Sequence, residues 1–122
     1  MAPSKNRYER QREALPSGLD VSNETFPFEL FGCSFELVRL QKGGKIQNNH
    51  FLLMEKKGQQ WCGIHADFEL MSFMAGVMLP ETNDYFDAIS FLTRCVLSYE
   101  SFDIYRVIRI INQQNDIMER VI

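Results

Sequence analysis

The sequence predicts an α+β fold, in which an antiparallel β-meander of three or four strands is followed by three α-helices packed on the sheet. Glycine-containing turns divide residues 33–66, and the segments between these turns are rich in Phe, Leu, Val and Trp, which favour strands. Residues 68–121 then contain three apolar segments that begin after capping residues, which is typical of helices.

Strands are expected over residues 34–41, 46–55 and 59–65. The pair Gly43-Gly44 suits a two-residue hairpin loop, because such loops need positive φ angles, and Lys57-Gly58 is expected to form the second loop. These loops predict a register in which Val38 lies opposite Asn49 and His50 lies opposite His65.

If the strands pair without interruption from those loops, alternate side chains point to opposite faces of the sheet. A shift of the register by one residue would move each side chain to the other face. The first predicted face carries Cys33, Phe35, Leu37, His50, Leu52, Met54, Trp61 and His65. The second carries Glu36, Val38, Leu40, Phe51, Leu53, Cys62 and Ile64.

The segment before the meander contains Phe26, Phe28 and Phe31 around Pro27. Proline cannot donate a hydrogen bond to a neighbouring strand, so this segment is expected to be an edge strand or an extended lead-in. Gly32 then allows a bend into the meander.

The 122 residues are enough for one domain, which we expect over residues 26–122. Residues 1–25 are expected to form a flexible basic arm, because four basic side chains outnumber two glutamates within residues 1–15. The arm is either a solvated leader or a segment that contacts a neighbouring subunit or phosphate through Arg7, Arg10 and Arg12. The net charge of −3 argues against a body built to bind nucleic acid.

The first helix is expected over residues 68–79, with Asp67 as its cap and Pro80 just after its end. It is apolar on almost every side, which predicts a buried helix lying across the sheet. The nearby methionines fill the core or, alternatively, line a groove for partners. They are Met54, Met71, Met74 and Met78.

The second helix is expected over residues 84–98, capped by Thr82 or Asn83. Phe91 falls in the middle of its polar side. Its ring is therefore either covered by another element of this chain or offered to a partner, and the sequence leaves both interpretations open.

The third helix is expected over residues 102–121, capped by Ser101. One row of side chains follows the 3-4 spacing of a coiled-coil seam, and further isoleucines, Ile110 and Ile117 among them, widen the apolar stripe. The row is Ile104, Val107, Ile111, Gln114, Met118 and Val121. The stripe indicates either a core-facing helix or a surface for self-association, in which Gln114 would set the register.

No catalytic motif is present, and we expect no enzymatic activity, cofactor or metal. His50 and His65 are cross-strand neighbours in the predicted register, but Cys33, the thiol on their face, lies far along the strands. Cys62 is three residues before His65 and should point to the opposite face.

The three cysteines are widely spaced and odd in number, which predicts buried thiols in a reducing, cytoplasmic environment. No apolar run approaches the ~18 residues of a membrane span, and the start of the chain lacks the apolar core of a secretion signal. We therefore expect no membrane contact.

The sequence thus favours a non-catalytic interaction or assembly protein that presents apolar surface from its last two helices, with copies of itself as the expected partner. Small adaptors, assembly factors and viral accessory proteins use such plans. The expected contact residues are Phe91, Ile110, Gln114 and Ile117, together with Arg7, Arg10 and Arg12 of the arm. The alternative function is nucleic-acid binding through the arm.

Overall fold

A computed structural model describes residues 15–121, which form a four-stranded antiparallel sheet followed by three helices. The predicted α+β fold is confirmed. The described residues divide into two compact units, 15–66 and 67–121. We refer to them as the sheet unit and the helical unit.

The sheet is a meander in which each strand lies beside the next one in the chain. Its strands are β1 (Asp20–Leu30), β2 (Cys33–Lys42), β3 (Lys45–Lys57) and β4 (Gln60–Asp67). The expected edge strand is confirmed as β1, and this position tolerates Pro27 because an edge strand has one side free of pairing.

The pairing of β2 with β3 contains a large bulge that the sequence analysis did not predict. Next to the Gly43-Gly44 loop, Lys42 lies opposite Lys45, as expected. Farther along, Arg39 lies opposite Phe51, so that Leu40 alone faces the four residues 47–50. Within this bulge Asn49 adopts a left-handed conformation with φ 69°.

The bulge overturns the predicted faces of the sheet. Val38 lies opposite Leu52 rather than Asn49, because β3 holds three more residues than β2 at this point. An odd number of extra residues exchanges the faces of everything beyond it. Leu52 and Met54 therefore share a face with Val38, and they pack into one buried cluster with Leu40.

The opposite face carries a second set of paired side chains. Leu37 lies opposite Leu53, and Phe35 lies opposite Glu55. The guanidinium carbon of Arg39 lies 5.5 Å from the centre of the Phe51 ring, so the charge of this buried side chain is placed over an aromatic face.

Part of the predicted arm belongs to the sheet unit. Residues 20–25 form the first half of β1. Leu15 is buried in the cluster with Val38 and Leu40, and Leu19 packs against the same cluster. Residues 1–14, where Arg7, Arg10 and Arg12 lie, are outside the described residues.

The loop between β3 and β4 is displaced by one residue from the predicted position. β3 continues through Lys57 and β4 begins at Gln60, so the two loop residues are Gly58 and Gln59. Gly58 has a positive φ of 63°, which explains why a glycine stands at this turn.

The helical unit contains α1 (Phe68–Ala75), α2 (Tyr85–Ser98) and α3 (Ile104–Val121), each of which contacts the other two. The Asp67 carboxylate accepts hydrogen bonds from the amides of Glu69 and Leu70, so its predicted capping role is confirmed. Asp84, rather than Thr82 or Asn83, caps α2 by accepting from the Asp87 amide at 2.8 Å.

The cap of α3 also differs from the prediction. The Asp103 carboxylate accepts from the Arg106 amide at 3.0 Å, whereas the Ser101 hydroxyl accepts from the Asp103 amide. Ser101 therefore precedes the cap instead of forming it. Both aspartates, Asp84 and Asp103, lie where their negative charge complements the positive end of a helix dipole.

The first helix is shorter and less buried than expected. It ends at Ala75, because Gly76 takes a left-handed conformation with φ 70° and donates its amide hydrogen to the Ser72 carbonyl oxygen. Phe73 is 75% exposed and Met78 is 78% exposed. The prediction that this segment is buried on every side is therefore wrong, although Phe68 and Met71 are buried.

Replacing Leu15 by alanine should destabilise the sheet unit, because the truncation opens a void in the Val38–Leu40–Leu52–Met54 cluster. We expect the free energy of unfolding, measured by urea denaturation, to fall by about 2 kcal/mol. Leu97→Ala is the matched control, since Leu97 is 51% exposed and its truncation should cost less than about 0.5 kcal/mol. Equal effects of the two changes would contradict the packing of Leu15.

The left-handed residue of the bulge provides a second test. A β-branched side chain is strained at positive φ, so Asn49→Val should reduce the free energy of unfolding by about 1–2 kcal/mol more than Asn48→Val does. Asn49→Gly should be nearly neutral in the same urea titration. Equal stability of the two valine variants would show that the left-handed position is not required for the fold.

Candidate functional site

Large apolar side chains are exposed mainly on the helical unit. Nine of the ten that are exposed within residues 15–121 belong to it, whereas the sheet unit contributes only Phe31. The nine are Phe73, Met78, Leu79, Phe86, Leu97, Phe102, Ile117, Met118 and Val121.

The two halves of α3 differ sharply in burial. All the buried residues of this helix lie in its first half, and they are Ile104, Val107, Ile108 and Ile111. In its second half, Ile117 is 60%, Met118 44% and Val121 80% exposed. The apolar pattern therefore continues for at least two turns after the helix has left the core.

A second row of 3-4 spaced side chains lies beside the buried row of α3. Ile110, Gln114, Ile117 and Val121 follow one another at intervals of four, three and four residues, which places them on one face of the helix. Ile110 is half-buried and the other three are exposed. We call these four residues the outer row.

The structure separates the contact residues that the sequence predicts. Ile110, Gln114 and Ile117 lie together in the outer row. Phe91 does not join them, because it is 2% exposed and its ring centre lies 4.6 Å from that of Phe68. Of the two interpretations of Phe91, coverage by another element of this chain is the one observed.

A pocket of about 300 Å³ borders Phe91, between the segment after α1 and one side of α2. Met78, Leu79 and Pro80 line one side, and Ser90 and Arg94 line the other. The sequence does not predict this pocket, because nothing in the spacing of its residues shows that residues 78–81 fold beside α2.

Glu81 and Asp87 also line this pocket, and Asp87 has a structural role. The Asp87 carboxylate accepts hydrogen bonds from the Thr82 hydroxyl at 2.8 Å and from the Thr82 amide at 3.2 Å. It therefore fastens the loop to the first turn of α2.

The two histidines meet on the sheet, as the sequence predicts. The distance between His50 Nδ1 and His65 Nε2 is 3.1 Å, and the rings are nearly parallel, with an interplanar angle of 11° and centres 5.3 Å apart. One nitrogen must donate its N–H to the lone pair of the other. Both residues are half-buried.

Within the part of the chain that the structure describes, no three His, Cys, Asp or Glu side chains are grouped so that they could hold a metal ion. Cys33, Cys62 and Cys95 are free thiols. Burial raises the pKa of Cys95 to about 12, so this thiol is neutral near pH 7 and is a poor nucleophile.

None of the three helices between residues 15 and 121 combines the length and the apolar character needed to cross a membrane. Searches of protein-family models, of curated proteins and of solved structures found no match to this chain.

Alkylation should distinguish the three thiols. Cys95 is buried and protonated at pH 8, whereas Cys33 and Cys62 are half-buried. We therefore expect iodoacetamide to modify Cys95 at least about tenfold more slowly than either of the others, as measured by peptide mass spectrometry over time. All three should react alike in urea, and fast modification of Cys95 in the native protein would contradict its burial.

Proposed function

We propose that this chain is a non-catalytic assembly protein that associates with a second copy of itself through the outer row of α3. The observation that carries the proposal is the exposure of Ile117 and Val121 in a row that keeps coiled-coil spacing. A copy of the same helix presents the same row, so a two-fold axis would bring two complementary surfaces together.

The apolar area at this end of α3 favours burial. Completing the burial of Ile117, Val121 and the neighbouring Met118 is worth about 1–2 kcal/mol for each side chain, since each is already partly covered. Two copies together gain about 6–12 kcal/mol, which is comparable to the ~4–15 kcal/mol that association costs. A dimer held by this surface alone is therefore expected to be weak and to dissociate on dilution.

The helix itself supports the same conclusion. An isolated helical segment of fewer than about 12 residues is marginal in water, and most helical stability in proteins comes from packing an apolar face. The second half of α3 continues as a regular helix to Val121 although its apolar side chains are exposed. Pairing with another helix would supply the packing that this half lacks.

Gln114 suits the centre of such an interface. It lies between Ile110 and Ile117 in the outer row and is exposed. A polar side chain at one seam position selects the register in which it finds a polar partner, at some cost in stability. Two glutamine amides that meet across a two-fold axis can each donate to and accept from the other.

Analytical ultracentrifugation tests the proposal directly. The unaltered protein should show a mass that rises from monomer to dimer with concentration, and Ile117→Glu should remain monomeric at about tenfold higher concentration because it buries a charge in the interface. Its melting temperature at low concentration should be unchanged, since Ile117 is exposed in the monomer.

Asn112→Glu provides the matched control, because it adds the same charge to a half-buried position on the side of the same helix opposite the outer row. This variant should dimerise like the unaltered protein. A monomer mass at all concentrations for the unaltered protein would refute self-association, and equal effects of the two glutamates would refute the assignment to the outer row.

A further inference from the structure

The histidine pair on β3 and β4 has a geometry that the outer row does not explain. We propose that His50 and His65 chelate one divalent transition-metal ion of the class that imidazole prefers, such as Zn²⁺, Ni²⁺ or Cu²⁺. The ligands are the two nitrogens that face each other, His50 Nδ1 and His65 Nε2. The site is independent of self-association through α3.

The separation of the two nitrogens matches the requirement of a single ion. Zinc binds imidazole nitrogen at ~2.0–2.1 Å, so nitrogens 3.1 Å apart subtend an angle of ~100° at the ion, close to the tetrahedral angle. The hydrogen bond already holds the nitrogens at the distance that chelation needs. The rings have only to turn so that both lone pairs point at the ion.

The backbone around the pair is well anchored. Two residues beyond His50, Leu52 is fully buried in the core cluster of the sheet unit, and Trp61, on the strand of His65, packs against that cluster. Rotation of each ring about its side-chain bonds is the main freedom left to be lost on binding. This preorganisation reduces the entropic cost of forming the chelate.

Chelation requires one of the two rings to change its tautomer, but neither ring has to lose a proton. Neutral imidazole binds metal through the nitrogen that carries no proton. In the metal-free pair one of the two facing nitrogens carries the shared hydrogen, so on binding that proton moves through solvent to the other nitrogen of the same ring. Both rings then remain neutral ligands.

Two protein ligands leave the remaining coordination positions of the ion open. Among residues 15–121 no third ligand side chain joins the pair, and both rings are half-buried. Water molecules would complete the coordination of the ion. A site with two protein ligands and open positions binds more weakly than a closed structural zinc site, and it is free to accept a ligand from outside.

Isothermal titration calorimetry of the untagged protein with ZnCl₂ or NiCl₂ tests the site. We expect one ion per chain, and we expect His50→Gln and His65→Gln each to weaken binding by at least about tenfold. The chain contains only these two histidines, so the double variant should lose all imidazole-dependent binding. Cys62→Ser is the matched control and should bind like the unaltered protein, because it removes a thiol from the same strand.

A second measurement does not depend on the folding of the variants. In the unaltered protein labelled with ¹⁵N at histidine, adding ZnCl₂ should shift the ring resonances of both histidines saturably, with His50 Nδ1 and His65 Nε2 each moving to the position of a metal-bound nitrogen. Absence of saturable binding, binding that survives the double histidine substitution, or ring shifts confined to one histidine would each overturn the proposal.

Discussion

The bulge between β2 and β3 is the constraint on which the sheet unit depends. Four residues of β3, 47–50, lie opposite Leu40 alone, which is three more than regular pairing would place there. Asn49 adopts a left-handed conformation within this stretch. Because three is an odd number, the bulge decides which side chains of β3 share a face with those of β2. It gathers Val38, Leu52 and Met54 into one core cluster.

The bulge also explains how a polar stretch fits into a buried strand. Residues 47–50 contain a glutamine, two asparagines and a histidine, which would be costly to bury in regular pairing. Asparagine tolerates positive φ better than other non-glycine residues do, so the chain can bend there without severe strain. The apolar run that follows, from Phe51 to Met54, then pairs regularly and is fully or almost fully buried.

In the helical unit, the contrast within α3 connects stability with proposed function. Its first half supplies buried isoleucines and a valine, while its second half repeats the same apolar spacing without cover. A single helix can thus contribute to the fold of its own chain and present a surface to a second copy. Phe91, which the sequence analysis considered for this role, instead packs against Phe68 and ties α2 to α1.

The sequence by itself determined the order of the elements, because glycine turns, capping aspartates and apolar spacing are local signals. It also placed His50 beside His65, although the loop is displaced by one residue. Moving a two-residue loop by one position shifts each cross-strand partner by two residues, so every side chain stays on the same face of the sheet. The tertiary structure decided what depends on contacts between distant residues. These features are the bulge, the burial of Leu15 and Phe91, and the exposure of the outer row. Each depends on packing, because contacts with residues distant in sequence decide whether an irregular strand or a covered ring is stable. No local sequence pattern identifies those contacts.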